Sequence, residues 1–149
     1  MPPNLPDLAK KDFESLAEFR FQMRRFERFS ELAAQGEGIA PQQYLLMLQV
    51  KGTPGRTWAT VGELAHRLQV LPHAAVALVS RCVALGLVER RPDPADRRQV
   101  QVHLLDKGEQ LLHRLAALHR AELKSLQGVF QVPQIDFPMP SPDPSHDLP

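Results

Sequence analysis

The chain has 149 residues, 43% hydrophobic and 23% charged. That is enough for one domain with a real core, and it excludes a disordered or fibrous chain. One cysteine, Cys82, excludes an internal disulfide or a cysteine-rich metal site and suits a cytoplasmic protein. No run reaches membrane-helix length, so no membrane partner is expected, and a net charge of +1 means that any nucleic-acid binding must rest on locally concentrated cations.

Met1 to Pro6 is expected to be a disordered lead-in, and Met1 to Lys11 is too charged for a secretory signal. From Asp7 the pattern is helical. Leu16, Phe19, Met23 and Phe26 recur at spacings of three and four, which puts them on one helix face. Five of the seven phenylalanines lie between Phe13 and Phe29, interleaved with Lys10, Lys11, Arg20, Arg24, Arg25 and Arg28. This is more aromatic surface than one helix of a small domain needs, so part of it is expected to face a partner chain. The helix is predicted to reach about Gln35 and to end at Gly36 and Gly38.

A second helix is predicted from Pro41 to Lys51, carrying Tyr44, Leu45 and Leu48, followed by a turn over Gly52 to Gly55. Thr60 and Glu63 have the spacing of a capping box, with Val61, Leu64, Ala65 and Leu68 as the apolar face of a short third helix. After a break at Gln69 to Leu71, a fourth helix is predicted from Pro72 to about Leu85. Its core face is Ala75, Leu78, Val79 and Cys82, and Gly86 is its C-terminal cap.

The period then changes. Leu87 to Arg91 reads as a short strand, and Val100, Val102 and Leu104 alternate with polar residues in a second one. Pro92 to Arg98 between them is a polar loop rich in turn formers, so the pair is predicted to be a hairpin with a charged tip. Asp106 and Glu109 offer a second capping box, with Asp106 as the cap. A long last helix follows, carrying Leu111, Leu112, Leu115, Leu118, Leu123 and Leu126. The domain is expected to span 7–130, and the proline-rich 131–149 to be extended or disordered.

This order describes a mainly α (α+β) fold, a winged helix-turn-helix with long N- and C-terminal helices. In that fold the second helix of the pair enters the DNA major groove, and the hairpin tip reaches the neighbouring minor groove, whose negative potential draws arginine. Candidate DNA contacts are therefore His73, Ala74, Ala77 and Arg81 on the fourth helix, and Arg90, Arg91, Arg97 and Arg98 on the hairpin.

The stretch Gly86-Leu-Val-Glu-Arg-Arg-Pro-Asp-Pro-Ala-Asp-Arg-Arg98, then Val100 to Gly108, resembles the wing of the MarR family. Asp93, Asp96, Arg97 and Arg98 match its Asp, two residues, Asp-Arg-Arg signature. Thr60 to Leu68 is similar to the family's first reading helix, and the resemblance covers roughly Phe13 to Leu126. It implies a homodimeric transcriptional regulator, a repressor, joined through the terminal helices and bound to an inverted repeat of double-stranded DNA. It also implies that Arg97 enters the minor groove and that Arg98 pairs with Asp93 or Asp96 to stiffen the wing. Release by a small aromatic or phenolic effector, or by cysteine oxidation, belongs to the same picture. Phe19, Met23 and Phe26 are the candidates for the dimer surface or effector pocket.

The sequence departs from the family pattern in three places. Leu71, Pro72, His73, Ala74, Val76 and Ala77 stand where relatives commonly carry Ser, Thr or Arg; Ala and Val can still contact thymine methyls. Ala95 stands where Arg is frequent. The proline-rich tail begins where many relatives have a further dimerisation helix.

Cys82 falls on an apolar face and reads as a buried structural thiol rather than a redox sensor. His66, His73, His103, His113, His119 and His146 form no recognisable ligand set. With no phosphate-binding glycine loop, no nucleophile elbow and no base near Ser80, neither catalysis nor a metal or cofactor is expected. The alternative reading is a winged-helix protein–protein interaction module without sequence-specific DNA reading, motivated by the apolar fourth helix and the +1 charge.

Overall fold

A computed structural model describes residues 7–128 and 131–133. The expected lead-in over 1–6 and most of the proline-rich tail lie outside them. Among the described residues five helices and three short strands follow one another: α1 Lys10–Gly36, α2 Pro41–Lys51, β1 Trp58–Thr60, α3 Val61–Leu68, α4 Pro72–Ala84, β2 Val88–Pro92, β3 Val100–Leu104 and α5 Asp106–Ser125.

The centre of the molecule is α2. It touches α1, α3, α4, α5, β1 and β3, and it is apolar on most sides, as a helix surrounded by others must be. Leu46, Met47 and Val50 are fully buried there beside Tyr44. Leu64 from α3, Val79 and Cys82 from α4, Leu87 just before the sheet, Val88 and Val102 from it, and Leu115 from α5 complete the same core.

The helix pair is set by its caps. The Thr60 hydroxyl accepts the Glu63 N–H at 3.1 Å and donates to the Glu63 carboxylate at 3.0 Å, so the capping box read from the sequence is formed. Gln69 ends α3 in the left-handed region at φ 54, the one non-glycine residue with positive φ among the described residues. Its side-chain amide donates to the His66 carbonyl at 2.7 Å, holding the tight break between α3 and α4. At the end of α4, Gly86 has φ +72, and the Leu87 N–H returns to the Cys82 carbonyl at 3.0 Å. Only glycine adopts that geometry without strain.

Two expectations need correction. The sheet has three strands, not two, in the order β1-β3-β2, all antiparallel. Residues Trp58–Thr60 pair with Gln101–His103 and brace the hairpin against the start of α3. Asp106 does not cap α5. The cap is Leu105, without a side-chain bond, and Asp106 is the first helical residue. Leu105 is fixed there because its N–H donates to the Leu87 carbonyl at 2.9 Å. Glu109 turns instead to Lys51, at 2.9 Å.

Beyond the core, α1 keeps Phe13, Leu16, Phe21 and Leu32 exposed, and α5 keeps Leu118 and Leu123 exposed. Only Gln22 and Ala34 of the 27 residues of α1 are buried.

Candidate nucleic-acid interface

The buried stripe of α4 is Ala75, Leu78, Val79 and Cys82, as the sequence spacing predicts. Its opposite face carries His73, Val76, Ala77, Ser80 and Arg81, all exposed, with Ala74 at the margin. Leu71, immediately before the helix, is 65% exposed and Val76 is 49% exposed.

The hairpin lies beside this face. Side chains alternate across a strand, so neighbours in sequence point to opposite faces. Arg90 turns towards α4, and its guanidinium donates to the Ser80 hydroxyl at 2.5 Å and to the Val76 carbonyl at 3.5 Å. Arg91 points to the other face, where it pairs with Glu89 at 2.6 Å. The two arginines that the sequence groups together are therefore separated, and only Arg90 borders the outward face of α4. A cleft of about 400 Å³, lined among others by Thr60, Gly62, Val76, Arg90 and Arg98, joins the start of α3, α4 and the wing.

The wing tip is ordered by its two aspartates. Asp93 accepts the N–H groups of Ala95 at 2.8 Å and Asp96 at 3.1 Å, and the Gln101 amide at 3.3 Å. Asp96 accepts both the backbone N–H of Arg98, at 3.0 Å, and its guanidinium, at 3.3 Å. Between these fixed points Arg97 stands exposed, with no hydrogen bond or ion pair to any described residue. The Arg98 side chain is also open to solvent despite its contact with Asp96.

The Ala95 N–H, then the Gln101 amide, hold the Asp93 carboxyl below its ordinary range. A depressed carboxyl stabilises above its unfolded value and loses that contribution as pH falls through the folded one. Asp93→Ala is expected to speed amide exchange at Ala95 and Asp96 while leaving the melting temperature nearly unchanged. The intact wing is expected to loosen in the same way below about pH 4. Equal protection in variant and parent, by exchange mass spectrometry or NMR, would show that Asp93 does not order the tip.

On the far face of the sheet, the Arg56 guanidinium lies 4.0 Å from the Trp58 ring centre and forms an ion pair with Glu63. Burial pushes the Glu63 carboxyl up, but its bonds to Arg56 and Thr60 outweigh this and hold it below the usual value. Trp58 stacks near His103, whose pKa is lowered by burial and then by Arg91. The sequence reading missed Arg56 and Trp58. A lone Trp beside a predicted turn was the signal available.

Cys82 is fully buried, and that burial pushes its thiol up to about 11. A raised thiol leaves stability intact below its ordinary value of about 8.5 and erodes it as pH climbs towards the folded value. The native protein is expected to resist an aromatic disulfide reagent near neutral pH and to react fully once unfolded. Rapid, stoichiometric labelling of native protein would instead expose a reactive thiol.

The aromatic residues of α1 divide between two places. Phe26 and Phe29 set their rings edge-on to His119 of α5, at 6.0 and 5.4 Å between centres, and Tyr44 of α2 stacks on the same imidazole at 4.5 Å. His119 is buried, bonded to the Leu115 carbonyl at 2.7 Å and the Ser30 hydroxyl at 2.9 Å. It ties α1 and α5 to the central helix, a role invisible in the sequence. Phe19 instead lines an open cleft of about 810 Å³ with Glu18, Gln22 and Val132. Gln22 is buried there, and its side-chain oxygen lacks a hydrogen-bond partner among the described residues. Met23 is half-buried on the same helix. Among the described residues no group of His, Cys, Asp and Glu could hold a metal ion, and no helix is long and apolar enough to cross a membrane.

Residues 37–99, which hold the helix pair and most of the wing, match the model of the MarR family. The chain is 34% identical over 67 residues to the uncharacterized HTH-type transcriptional regulator YsmB of Bacillus subtilis, covering 45% of this chain and 46% of that protein. The chain thus spans about half the length of that curated relative. The crystal structure of AbsC, a MarR family transcriptional regulator from Streptomyces coelicolor, superposes with a TM-score of 0.71 at 17% identity, covering 81% of each chain. A mutant MarR from E. coli complexed with operator DNA gives 0.63 at 23% identity, covering 80% of this chain and 83% of that one. A family match over the reading head, on a five-helix frame with a three-stranded wing sheet among the described residues, makes the fold a winged helix-turn-helix and residues 37–99 similar to the MarR family.

Proposed function

We propose that the protein is a DNA-binding transcriptional regulator, a homodimeric repressor that places α4 in the major groove and the wing in the adjacent minor groove. The observation that carries this reading is the pairing of an outward α4 face with an exposed, aspartate-ordered arginine tip. Arg97 is the residue for the minor groove. Arg81, Arg90 and Arg98 supply the surrounding positive charge, and Arg91 is peripheral because it faces away with Glu89. His73, Ala74 and Ala77 are the contacts available to base edges near the helix start.

The homodimer is formed by the exposed apolar faces of α1 and α5, including Phe13, Phe21, Leu118 and Leu123. Two-fold symmetry then selects an inverted repeat. A bound dimer that occludes a promoter represses, and a small aromatic or phenolic effector releases it. The cleft beside Phe19 and Gln22 is the candidate seat for that ligand, because it offers an aromatic wall and an unpaired buried acceptor. A reducing cytoplasm suits the lone buried thiol.

The test is to incubate purified protein with fragmented genomic DNA and sequence what is retained. The mass of the free protein and of its DNA complex is measured by sedimentation. A discrete inverted-repeat site, bound by a species of twice the 16.8 kDa chain mass, is expected. A folded protein that retains no fragment selectively would overturn the reading and favour the protein-binding module.

A further inference from the structure

The outward face of α4 has little left with which to hydrogen-bond a base. Ser80 is its only hydroxyl, and it is already engaged: its proton goes to the Val76 carbonyl at 3.0 Å, and it accepts from Arg90 at 2.5 Å. Arg81 lies in the second half of the helix. At the leading half, where such a helix meets base edges, His73 is the sole polar side chain, set among exposed Leu71, Pro72, Val76 and Ala77.

Exposure of Leu71 and Val76 costs solvation unless something covers them, and the cations around them select what does. Arg90 and Arg98 share a cleft with Val76, and Arg81 lies on the same exposed helix face. A polyanion with apolar groups in its groove complements both features. In duplex DNA the one such group in the major groove is the C5 methyl of thymine.

We propose that the protein reads its operator chiefly through thymine methyl groups, packed against Val76 and Ala77 with Leu71 at the edge, rather than through base-edge hydrogen bonds. The inference rests on the DNA-binding reading above and specifies what the reading head recognises there. It predicts half-sites with adjacent thymines under the leading half of α4. It also gives Arg90 a positioning role, because Arg90 holds Ser80 away from the bases and fixes the wing to the helix.

The experiment uses the full chain and the operator recovered from genomic selection. Thymines in each half-site are replaced by deoxyuridine, which keeps every hydrogen-bonding edge and removes only the methyl. Affinity is expected to fall about fourfold per methyl removed under the helix, and not at all for replacements outside the half-sites. Val76→Ala, at an exposed position, is expected to fold normally and to shrink the deoxyuridine effect. Selective binding that is indifferent to deoxyuridine would overturn methyl reading while leaving the regulator reading intact. A deoxyuridine effect undiminished in both Val76→Ala and Ala77→Gly would likewise overturn it, since the loss would then come from the DNA. Absence of any selectively bound fragment would remove both readings together.

Discussion

Gly108→Ala is expected to cost about 1–3 kcal/mol of stability. A Cβ at this position would sit 2.1 Å from the Leu87 carbonyl oxygen and 3.0 Å from its carbon. The obstacle is backbone, so no side chain can rotate away. That carbonyl is also pinned as the acceptor of the Leu105 N–H, the bond that fixes where α5 begins. Overpacking of this kind costs about 1–3 kcal/mol, and loss of the hydrogen bond about 1 more. Alanine's better helix propensity returns about 1 kcal/mol, which is too little to offset them. For a chain of this size the melting temperature should fall by roughly 3–10 °C. Gly62→Ala in α3 is the control. Nothing lies within 4 Å of its added methyl, so it should be neutral or slightly stabilising. A Gly108→Ala protein that melts at or above the parent temperature would show that α5 and the Leu87 backbone are not in close contact.

Arg97→Ala is expected to weaken operator binding by tenfold or more and to leave folding untouched. Arg97 has no partner among the described residues, so nothing in the free protein is lost with it. Both copies in a dimer change together, and a directed arginine is worth roughly 1–3 kcal/mol at a nucleic-acid interface. Each phosphate no longer neutralised should flatten the log–log salt dependence by roughly 0.9. Arg91→Ala provides the contrast. Its guanidinium is held by Glu89 on the far face, so its loss should change affinity little. Equal effects at Arg97 and Arg91 would mean that the wing acts through net charge alone, without a directed contact.

Much of this could be read from the chain because it is written locally. The α4 core face follows from spacing alone, and Thr60 with Glu63 is a cap whose donors and acceptors lie three residues apart. The wing announces itself by strict alternation at Val100, Val102 and Leu104, and by Asp93 and Asp96, whose bonds reach only two or three residues ahead, apart from that to Gln101. What escaped is non-local. A three-residue strand such as Trp58–Thr60 shows no period, and it exists because β3, more than forty residues later, offers it an edge. Asp106 looked like a cap because its spacing to Glu109 was right, but a backbone bond from Leu105 to Leu87 had already placed the helix start. The histidines show no ligand pattern in sequence, and the role of His119 depends on Phe26, Phe29 and Tyr44, which two other helices bring to it. The separation of Arg90 from Arg91 follows from strand alternation and was legible, but adjacency in sequence obscured it.

The measurement closest to the central claim is a pair of footprints on the retained genomic fragment. One uses a probe of the minor groove and the other a probe of guanine N7 in the major groove. The account predicts two protected half-sites related by a two-fold axis, each with major-groove protection at its centre and minor-groove protection at its flank. In Arg97→Ala the flanking minor-groove protection disappears while the central major-groove protection persists at saturating protein. Minor-groove protection that survives the loss of Arg97 unchanged, or protection confined to one groove, would contradict the placement of α4 and the wing.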